Sequence, residues 1–209
     1  MKNLYIVGAG GFGREVYGWL MDELTLLKGH TFIGFLDDNE DALSGFDLDH
    51  GVVGKITEFK FKEDDYFICG IGSVKSKKRL CQPMLDARAQ FLTLVHPTAL
   101  IGRSVTLGDG VVICPRVTLT CDIHIGAMTM INCHSSAGHD VSVGAWCTIS
   151  AHCDLTGGTV LEDEVFVGSG VSIIPFKKIG SRATLGAGSV VIRDVPESVS
   201  VFGNPARVV

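Results

Sequence analysis

A six-residue repeat that begins at Ile101 decides the fold of this chain. Written in groups of six, residues 101–190 read IGRSVT LGDGVV ICPRVT LTCDIH IGAMTM INCHSS AGHDVS VGAWCT ISAHCD LTGGTV LEDEVF VGSGVS IIPFKK IGSRAT LGAGSV. Of the sixteen first positions from Ile101 to Val191, fifteen are Ile, Leu or Val, and the exception is Ala137. The second position is often glycine, and no insertion breaks the register.

A strict period of six fits neither an α-helix, whose period is about 3.6, nor an alternating β-strand, whose period is 2. It is typical of a parallel β-helix, in which one aliphatic side chain per hexad points into a narrow core. Three hexads make one triangular coil of about 18 residues, so the repeat predicts about five coils. The alternative, a β-sandwich with glycine turns, would not hold one register over such a length.

Residues 1–95 instead alternate strand-like and helix-like stretches. The predicted strands are Asn3–Val7, Thr31–Leu36, Tyr66–Ile71 and Phe91–Val95, and the predicted helices are Arg14–Leu27 and Ser76–Gln90. This β-α-β order predicts a small parallel sheet with helices packed on it. The change of pattern at His96–Pro97 predicts two domains, 1–95 and 96–209.

Composition excludes several classes of function. The 209 residues carry a net charge of −5, with a pI of about 5.8, which argues against nucleic-acid binding because such proteins normally present a basic face. No apolar run approaches the roughly 20 residues of a membrane span, so no membrane insertion is expected. The seven cysteines include no CxxC pair and are typical of reduced thiols in a cytoplasmic protein.

A glycine loop follows the first predicted strand. Gly8–Gly13 reads GAGGFG, which satisfies G-x-G-x-x-G and would let backbone N–H groups approach a phosphate at the start of a helix. Asp37 and Asp38 follow roughly 20 residues later, where an acid usually bonds a ribose hydroxyl. Alone, this pattern indicates an NAD-dependent oxidoreductase, although half of that fold is missing here. A tight strand-to-helix turn without a ligand is the other alternative.

The whole chain resembles the bacterial nucleotide-sugar (amino-sugar) N-acetyltransferases and the related sialic acid O-acetyltransferases of the hexapeptide-repeat, left-handed β-helix superfamily. The resemblance is carried by GAGGFGRE at Gly8–Glu15, FLDD at Phe35–Asp38, GIG at Gly70–Gly72, VHPTALIG at Val95–Gly102, GHDVSVG at Gly138–Gly144 and VFGNPAR at Val201–Arg207. It implies an acetyl-CoA-dependent transfer to a nucleotide-linked sugar, with the amino group of a 4-amino-4,6-dideoxy sugar as acceptor. Transfer to a sugar hydroxyl is the alternative.

The resemblance also implies roles for residues of the first domain. The glycine loop would hold the nucleotide and its diphosphate, while the two aspartates would lie near the base or ribose. The implied substrate-binding residues are Gly10, Gly11, Phe12, Gly13, Asp37, Asp38, Gly72 and Ser73.

His139 is the candidate general base. It lies at a predicted corner, and with Asp140 it matches the H-[DE]-x-x-[IV]-G pattern of the family, whose histidine takes the proton from the acceptor. Residues 18 apart occupy equivalent corners about 4.8 Å apart, so Gly157 should lie one coil above His139. Its backbone N–H is the candidate donor to the developing oxyanion.

The acetyl-CoA contacts implied by the resemblance are Thr148, Gly157, Ser169 and Ala187. Thr148 stands where the family often has a second histidine, which leaves only a hydroxyl to contact the donor. A single prism offers no cleft for two substrates, whereas three prisms around an axis create three clefts. A homotrimer is therefore predicted, and the resemblance implies that His139 of one chain faces the CoA edge of the next.

His134 and His152 are also 18 residues apart and should stack, with Arg116 one coil below. Such a pair could hold a metal, and the spacing of His134 and His139 resembles the zinc-binding β-helical carbonic anhydrases. A zinc-dependent hydratase is therefore the rival enzyme class, but that family lacks the first domain, and no metal is predicted. A non-enzymatic β-helical scaffold is the third class, against which the His139 motif argues.

Overall fold

The computed structural model describes residues 2–209. The chain divides into two compact units, Met1–Leu94 and Val95–Val209. This division falls one residue before the boundary expected from the sequence. No helix within residues 2–209 is both long and apolar enough to cross a membrane.

The first unit contains a parallel sheet of five strands in the order β3-β2-β1-β4-β5. Its elements are β1 (Asn3–Val7), α1 (Gly11–Asp22), a 3₁₀ turn (Leu24–Leu27), β2 (Thr31–Leu36), β3 (Val52–Gly54), β4 (Asp65–Cys69), α2 (Val74–Asp86) and β5 (Gln90–Phe91). Leu4, Ile6 and Phe67 are fully buried in the sheet, while Val16 and Leu20 of α1 are fully buried on one side of their helix. The expected parallel sheet is therefore present.

Several element bounds differ from the sequence prediction, and the short strand β3 was not predicted. The first helix ends at Asp22 because Glu23 leaves the helical region, with φ −130° and ψ 83°. The second ends at Asp86, two residues before the left-handed Arg88 at φ 68°. The expected strand Phe91–Val95 is two strands, one in each of two different sheets.

The second unit is the predicted parallel β-helix. Its strands are β6 (Leu94–Val95), β7 (Leu100–Ile101), β8 (Thr106–Leu107), β9 (Val112–Ile113), β10 (Thr118–Leu119), β11 (His124–Ile125), β12 (Met130–Ile131), β13 (Ser136–Ala137), β14 (Ser142–Val143), β15 (Thr148–Ile149), β16 (Asp154–Leu155), β17 (Val160–Leu161), β18 (Phe166–Val167), β19 (Ser172–Ile173), β20 (Lys178–Ile179), β21 (Thr184–Leu185), β22 (Val190–Val191), β23 (Ser200–Phe202) and β24 (Arg207–Val208). Parallel pairs among β7–β22 join residues 18 apart, such as Thr118 and Ser136, whereas β21 pairs Thr184 with Ser200 of β23.

The strands form three sheets, which we name A, B and C. Sheet A begins with β6 and β9 and ends with the antiparallel β24, sheet B runs from β7 to β22, and sheet C runs from β8 to β20. Along each coil the chain passes from A to B to C, so three stacked series of turns result, which we call corners AB, BC and CA. Each functional residue can therefore be placed by its corner and its coil.

The hexad residues point into the core, as predicted. Ile113, Leu119 and Ile125 are fully buried, whereas Ile101 of the first coil is 37% exposed. Many second-position glycines are required by close stacking, since a Cβ on Gly126 would lie 2.5 Å from the carbonyl carbon of Gly144. The narrow coil explains why glycine is frequent in this part of the chain.

Candidate active site

A cavity of about 420 Å³ lies beside the glycine loop in the first unit. We call it the glycine-loop pocket. It lies at the carboxyl ends of neighbouring parallel strands, where α/β sheets normally bind ligands, and residues of α1 and α2 complete its lining. They are Gly8, Gly10, Gly11, Phe12, Asp37, Asp38, Asn39, Ile56, Gly70, Ile71, Gly72, Arg79 and Leu80. Six of the eight substrate-binding residues expected from the sequence are in this set.

The two expected residues outside this set have structural contacts instead. Gly13 packs so closely that a Cβ there would overlap the carbonyl oxygen of Gly8. The Ser73 hydroxyl caps α2 by accepting a hydrogen bond from the backbone N–H of Ser76 at 3.3 Å. Gly13 thus fixes the shape of the loop, and Ser73 fixes the start of α2.

The glycine loop leaves the start of α1 open. Gly10 is the N-cap and provides no side-chain cap, and a Cβ on Gly10 would meet nothing within 4 Å. The first N–H groups of a helix have no intrahelical partner and carry the positive end of its dipole. This end of the pocket is therefore suited to an anionic group.

Asp37 ties the loop to the end of β2. Its Oδ2 accepts a hydrogen bond from the backbone N–H of Ala9 at 2.8 Å, and its Oδ1 accepts one from the N–H of Asn39 at 2.9 Å. Asp38 instead accepts two hydrogen bonds on Oδ1, from the backbone N–H and the hydroxyl of Thr57, both at 3.1 Å. The two adjacent aspartates thus have different surroundings, and Asp37 holds the loop in place.

We expect Asp37→Ala to lower the free energy of unfolding by about 2 kcal/mol, because two backbone N–H groups lose a charged acceptor. Thermal unfolding measures the change. Asp41→Ala, which removes a nearby exposed carboxylate, is the matched control. Equal stability of the two variants would contradict this role of Asp37.

Arg79 is a pocket residue that the sequence analysis missed. It lies on α2 and is exposed, and its guanidinium makes no hydrogen bond or ion pair within residues 2–209. By contrast, the Arg14 guanidinium on α1 stacks over the Phe46 ring at 3.5 Å. Its position after the GIG segment could have indicated that Arg79 lines the pocket. A charged residue on a helix is, however, most often only solvated.

Corner BC carries His139, Asp140 and Gly157. The His139 Nδ1 lies 2.7 Å from Asp140 Oδ2, and the His139 side chain is 60% exposed. A carboxylate only accepts hydrogen bonds, so this contact places the proton of a neutral imidazole on Nδ1. Nε2 then has a free lone pair and can accept a proton from a substrate.

Gly157 lies directly against this imidazole. A Cβ on Gly157 would be 2.6 Å from His139 Nε2 and 2.7 Å from Cε1. The predicted stacking of these two residues is therefore present in the fold. The Gly157 backbone N–H has no acceptor within residues 2–209, so it remains available to an incoming oxygen.

The other expected acetyl-CoA contacts lie elsewhere. Ser169 and Ala187 are exposed and stacked at corner AB, which sheet B separates from His139 and Gly157. Thr148 lies on sheet A and is 2% exposed. Its burial disfavours the expected contact with an acetyl donor. Within one chain, the expected donor contacts therefore do not form a single site.

His134 and His152 stack at corner AB, as expected from their spacing. Their ring centroids are 4.9 Å apart and their planes differ by 6°. Arg116 lies one coil below at the same corner. His139 is at corner BC and not beside this pair, so these three histidines do not meet within one chain.

Comparison with known proteins identifies relatives along the whole chain. Residues 3–84 match the family model described as the PglD N-terminal domain. The chain is 32% identical to GDP-perosamine N-acetyltransferase of Escherichia coli O157:H7, over 98% of this chain and 96% of that protein.

Two solved structures have the same fold. PerB from Caulobacter crescentus, determined in complex with CoA and GDP-perosamine, has a TM-score of 0.87 and 28% identity, over 100% of this chain and 97% of that one. WeeI from Acinetobacter baumannii AYE has a TM-score of 0.87 and 29% identity, over 100% of both chains. The chain therefore belongs to the hexapeptide-repeat, left-handed β-helix family of acetyl-CoA-dependent nucleotide-sugar N-acetyltransferases, and it is an acyltransferase.

Proposed function

We propose that this protein transfers the acetyl group of acetyl-CoA to the amino group of a nucleotide-linked 4-amino-4,6-dideoxy sugar. The observation that carries the proposal is the group at corner BC, where His139 bonds Asp140 and lies against Gly157. The relative from Escherichia coli, whose name gives a GDP-linked amino sugar as its substrate, supports the acceptor class.

His139 acts as the general base in this proposal. Its Nε2 takes a proton from the amine as the amine nitrogen attacks the thioester carbonyl carbon. The C–N bond forms, and the carbonyl oxygen becomes an oxyanion. Asp140 holds the ring in the required tautomer, and its carboxylate stabilises the imidazolium that forms.

Gly157 stabilises the oxyanion through its backbone N–H. When the tetrahedral intermediate collapses, the C–S bond breaks and the CoA sulfur leaves as a thiolate, which the proton held by His139 neutralises. An N–H that has no acceptor in the free protein suits this role, because no existing hydrogen bond has to be broken first.

The glycine-loop pocket receives the nucleotide part of the substrate. The open start of α1 suits a diphosphate, while Phe12, Asp38 and Gly72 line the remaining wall. In this proposal the glycine loop binds the nucleotide of the sugar substrate, and not the NAD that the G-x-G-x-x-G pattern alone would indicate. We place the reaction in the cytoplasm, consistent with the seven free thiols along the chain.

Release of CoA thiol measures the proposed activity. The full chain is incubated with acetyl-CoA and a panel of nucleotide-linked 4-amino-4,6-dideoxy sugars, and the matching 4-hydroxy sugars are the control acceptors. We expect acceptor-dependent release with the amino sugars only. Release with the hydroxyl acceptors alone would favour a sugar O-acetyltransferase instead.

A homotrimer is part of the proposal, because the donor contacts and the base lie at different corners of one chain. Ser169 and Ala187 are at corner AB, and His139 is at corner BC. Around a three-fold axis, corner AB of one chain faces corner BC of the next, which brings both sets together. We expect a particle mass of about three times 22.3 kDa by light scattering.

Mixed trimers test whether sites are shared. One parent carries His139→Ala, and the other carries Ser169→Arg with Ala187→Arg to block the donor edge. Each parent alone is expected to be inactive, whereas random mixing should restore about a quarter of wild-type activity, because one site in four pairs two intact halves. A fully active monomer, or mixed trimers without activity, would contradict shared sites.

A further inference from the structure

Phe176 is an exposed aromatic residue at corner BC, one coil beyond Gly158. It is 72% exposed, so its ring takes no part in the core of the β-helix. Its φ of 60° lies in the left-handed region, which glycine adopts with less strain than a bulky residue. The preceding coils have small or polar residues at this position of the corner, namely Ser104, Asp122, Asp140 and Gly158. Neither core packing nor the turn therefore requires an aromatic ring at residue 176.

The ring of Phe176 lies against the corner that carries the reaction centre. A Cβ on Gly158 would be 2.3 Å from Cδ1 and 2.5 Å from Cε1 of this ring. The neighbouring Gly157 is covered in the same way by the His139 imidazole, which reaches it from the coil below. Two adjacent glycines thus receive two rings, the imidazole from one side along the axis and the phenyl ring from the other.

Backbone hydrogen bonds hold these three coils in register. The Phe176 N–H donates to the Gly157 carbonyl oxygen at 3.0 Å, and the Gly158 N–H donates to the His139 carbonyl oxygen at 2.8 Å. The phenyl ring and the imidazole are therefore carried by one continuous ladder. The exposed face of the Phe176 ring borders the space next to the Gly157 N–H.

The position of Phe176 along the axis indicates which substrate it meets. The proposed function puts the thioester oxygen at the Gly157 N–H and the acceptor amine at His139 Nε2, on the coil below. Phe176 is on the coil above, the same coil as Ser169, and Ala187 is on the next coil. The donor edge thus extends from the reaction centre on the side of Phe176, and the acceptor lies on the opposite side.

We propose that Phe176 positions the acetyl donor by packing its ring against the thioester sulfur and the two methylene groups of the adjoining mercaptoethyl segment. These are the apolar atoms of CoA that lie nearest to the reacting carbonyl, and sulfur and methylene groups both make favourable contacts with an aromatic ring. The inference rests on the proposed function, because that function places the thioester at Gly157.

Phe176→Gly tests the proposal with little risk to the fold. Glycine adopts a φ of 60° without strain, so the thermal unfolding midpoint should not fall. Calorimetric titration of the full chain with CoA requires no catalytic step. We expect binding of CoA to weaken by about 10-fold, the loss expected when two methylene groups give up an apolar contact. Phe176→Leu, which keeps an apolar side chain, should remain within about 3-fold of the wild-type protein.

Steady-state kinetics locate the contact within the donor. In Phe176→Gly, KM for acetyl-CoA should rise by about 10-fold, while KM for the nucleotide-linked sugar stays within about 2-fold. The short donor S-acetyl-N-acetylcysteamine keeps the mercaptoethyl segment and lacks the nucleotide of CoA. Its kcat/KM should fall by the same factor of about 10, because the lost contact lies in the part that the two donors share.

Phe46→Ala is the matched control. Phe46 is another exposed phenylalanine, 49% exposed, but it belongs to the first unit and does not line the glycine-loop pocket. Its removal should leave both the affinity for CoA and the two Michaelis constants at the wild-type values. A loss of CoA affinity in Phe176→Gly alone therefore reports on the ring at corner BC.

Three results would overturn the proposal. They are an unchanged CoA affinity in Phe176→Gly, a rise in KM for the sugar in place of the donor, and a particle mass below that of the wild-type protein, which would make the ring a contact between chains. Failure of the proposed function gives a different result. Weakened CoA binding by Phe176→Gly, without acetylation of any amino sugar by the wild-type protein, would remove the function and keep the donor contact. Acetylation of amino sugars with an unchanged CoA affinity would do the reverse.

Discussion

Replacement of His139 by alanine should reduce kcat by about 10²- to 10⁴-fold, the contribution of a positioned general base. The imidazole is 60% exposed at corner BC and supports no core packing, so the fold should be retained. The Michaelis constants for both substrates should change little, because the lost proton transfer occurs only in the transition state. Steady-state CoA release measures all three constants.

His124→Ala is the matched control for this variant. His124 is an exposed histidine on sheet C, and its ring contacts the Thr106 hydroxyl at 2.9 Å. Its removal should leave kcat unchanged. A His139→Ala protein with near wild-type turnover would exclude His139 as the base.

The second large effect is expected for Gly157→Ala. The new Cβ would be placed 2.6 Å from His139 Nε2, which is closer than a Cβ and a non-bonded nitrogen can approach, so the imidazole must move. A displacement of about 1 Å in a reacting group can cost about 10²-fold in rate. We therefore expect kcat to fall by about 10²-fold or more, while the backbone N–H of residue 157 is still present.

The fold should accept this alanine. Ala127, Ala145, Ala151 and Ala187 occupy the same third position of their hexads at other corners, so a Cβ is compatible with the coil geometry. The thermal unfolding midpoint should change little. The double variant with His139→Ala should be no slower than His139→Ala alone, because the added methyl group acts through the ring. Independent, multiplicative losses would show that Gly157 acts in some other way.

The β-helix was readable from sequence because its interactions are local and repeated. One aliphatic residue in each hexad faces the core, and a glycine follows wherever the next coil approaches too closely for a Cβ, as at Gly108. The period also fixes which residues stack, and the predicted contacts of His134 with His152 and of His139 with Gly157 follow from the spacing of 18. Because no insertion interrupts the repeat between Ile101 and Val191, a spacing of 18 residues predicts stacking at every coil of that segment.

The first unit was less fully predictable. Strand Thr31–Leu36 was located by its apolar run, but the short edge strand Val52–Gly54 was missed, since three residues carry too weak a pattern. The G-x-G-x-x-G loop and the two aspartates indicated a site. Their spacing did not distinguish Asp37, which holds the loop through Ala9, from Asp38, which faces Thr57.

By itself, the sequence determined the period, the two kinds of unit, the glycine loop and the stacking of residues along each corner, because each depends on spacing along the chain. Only the tertiary structure decided which groups have hydrogen-bonding capacity left over, that Thr148 is buried, and that Arg79 lines the pocket. It also placed Ser169 and His139 at different corners. These properties depend on side-chain direction and on neighbours distant in sequence, which a repeat of short period does not encode.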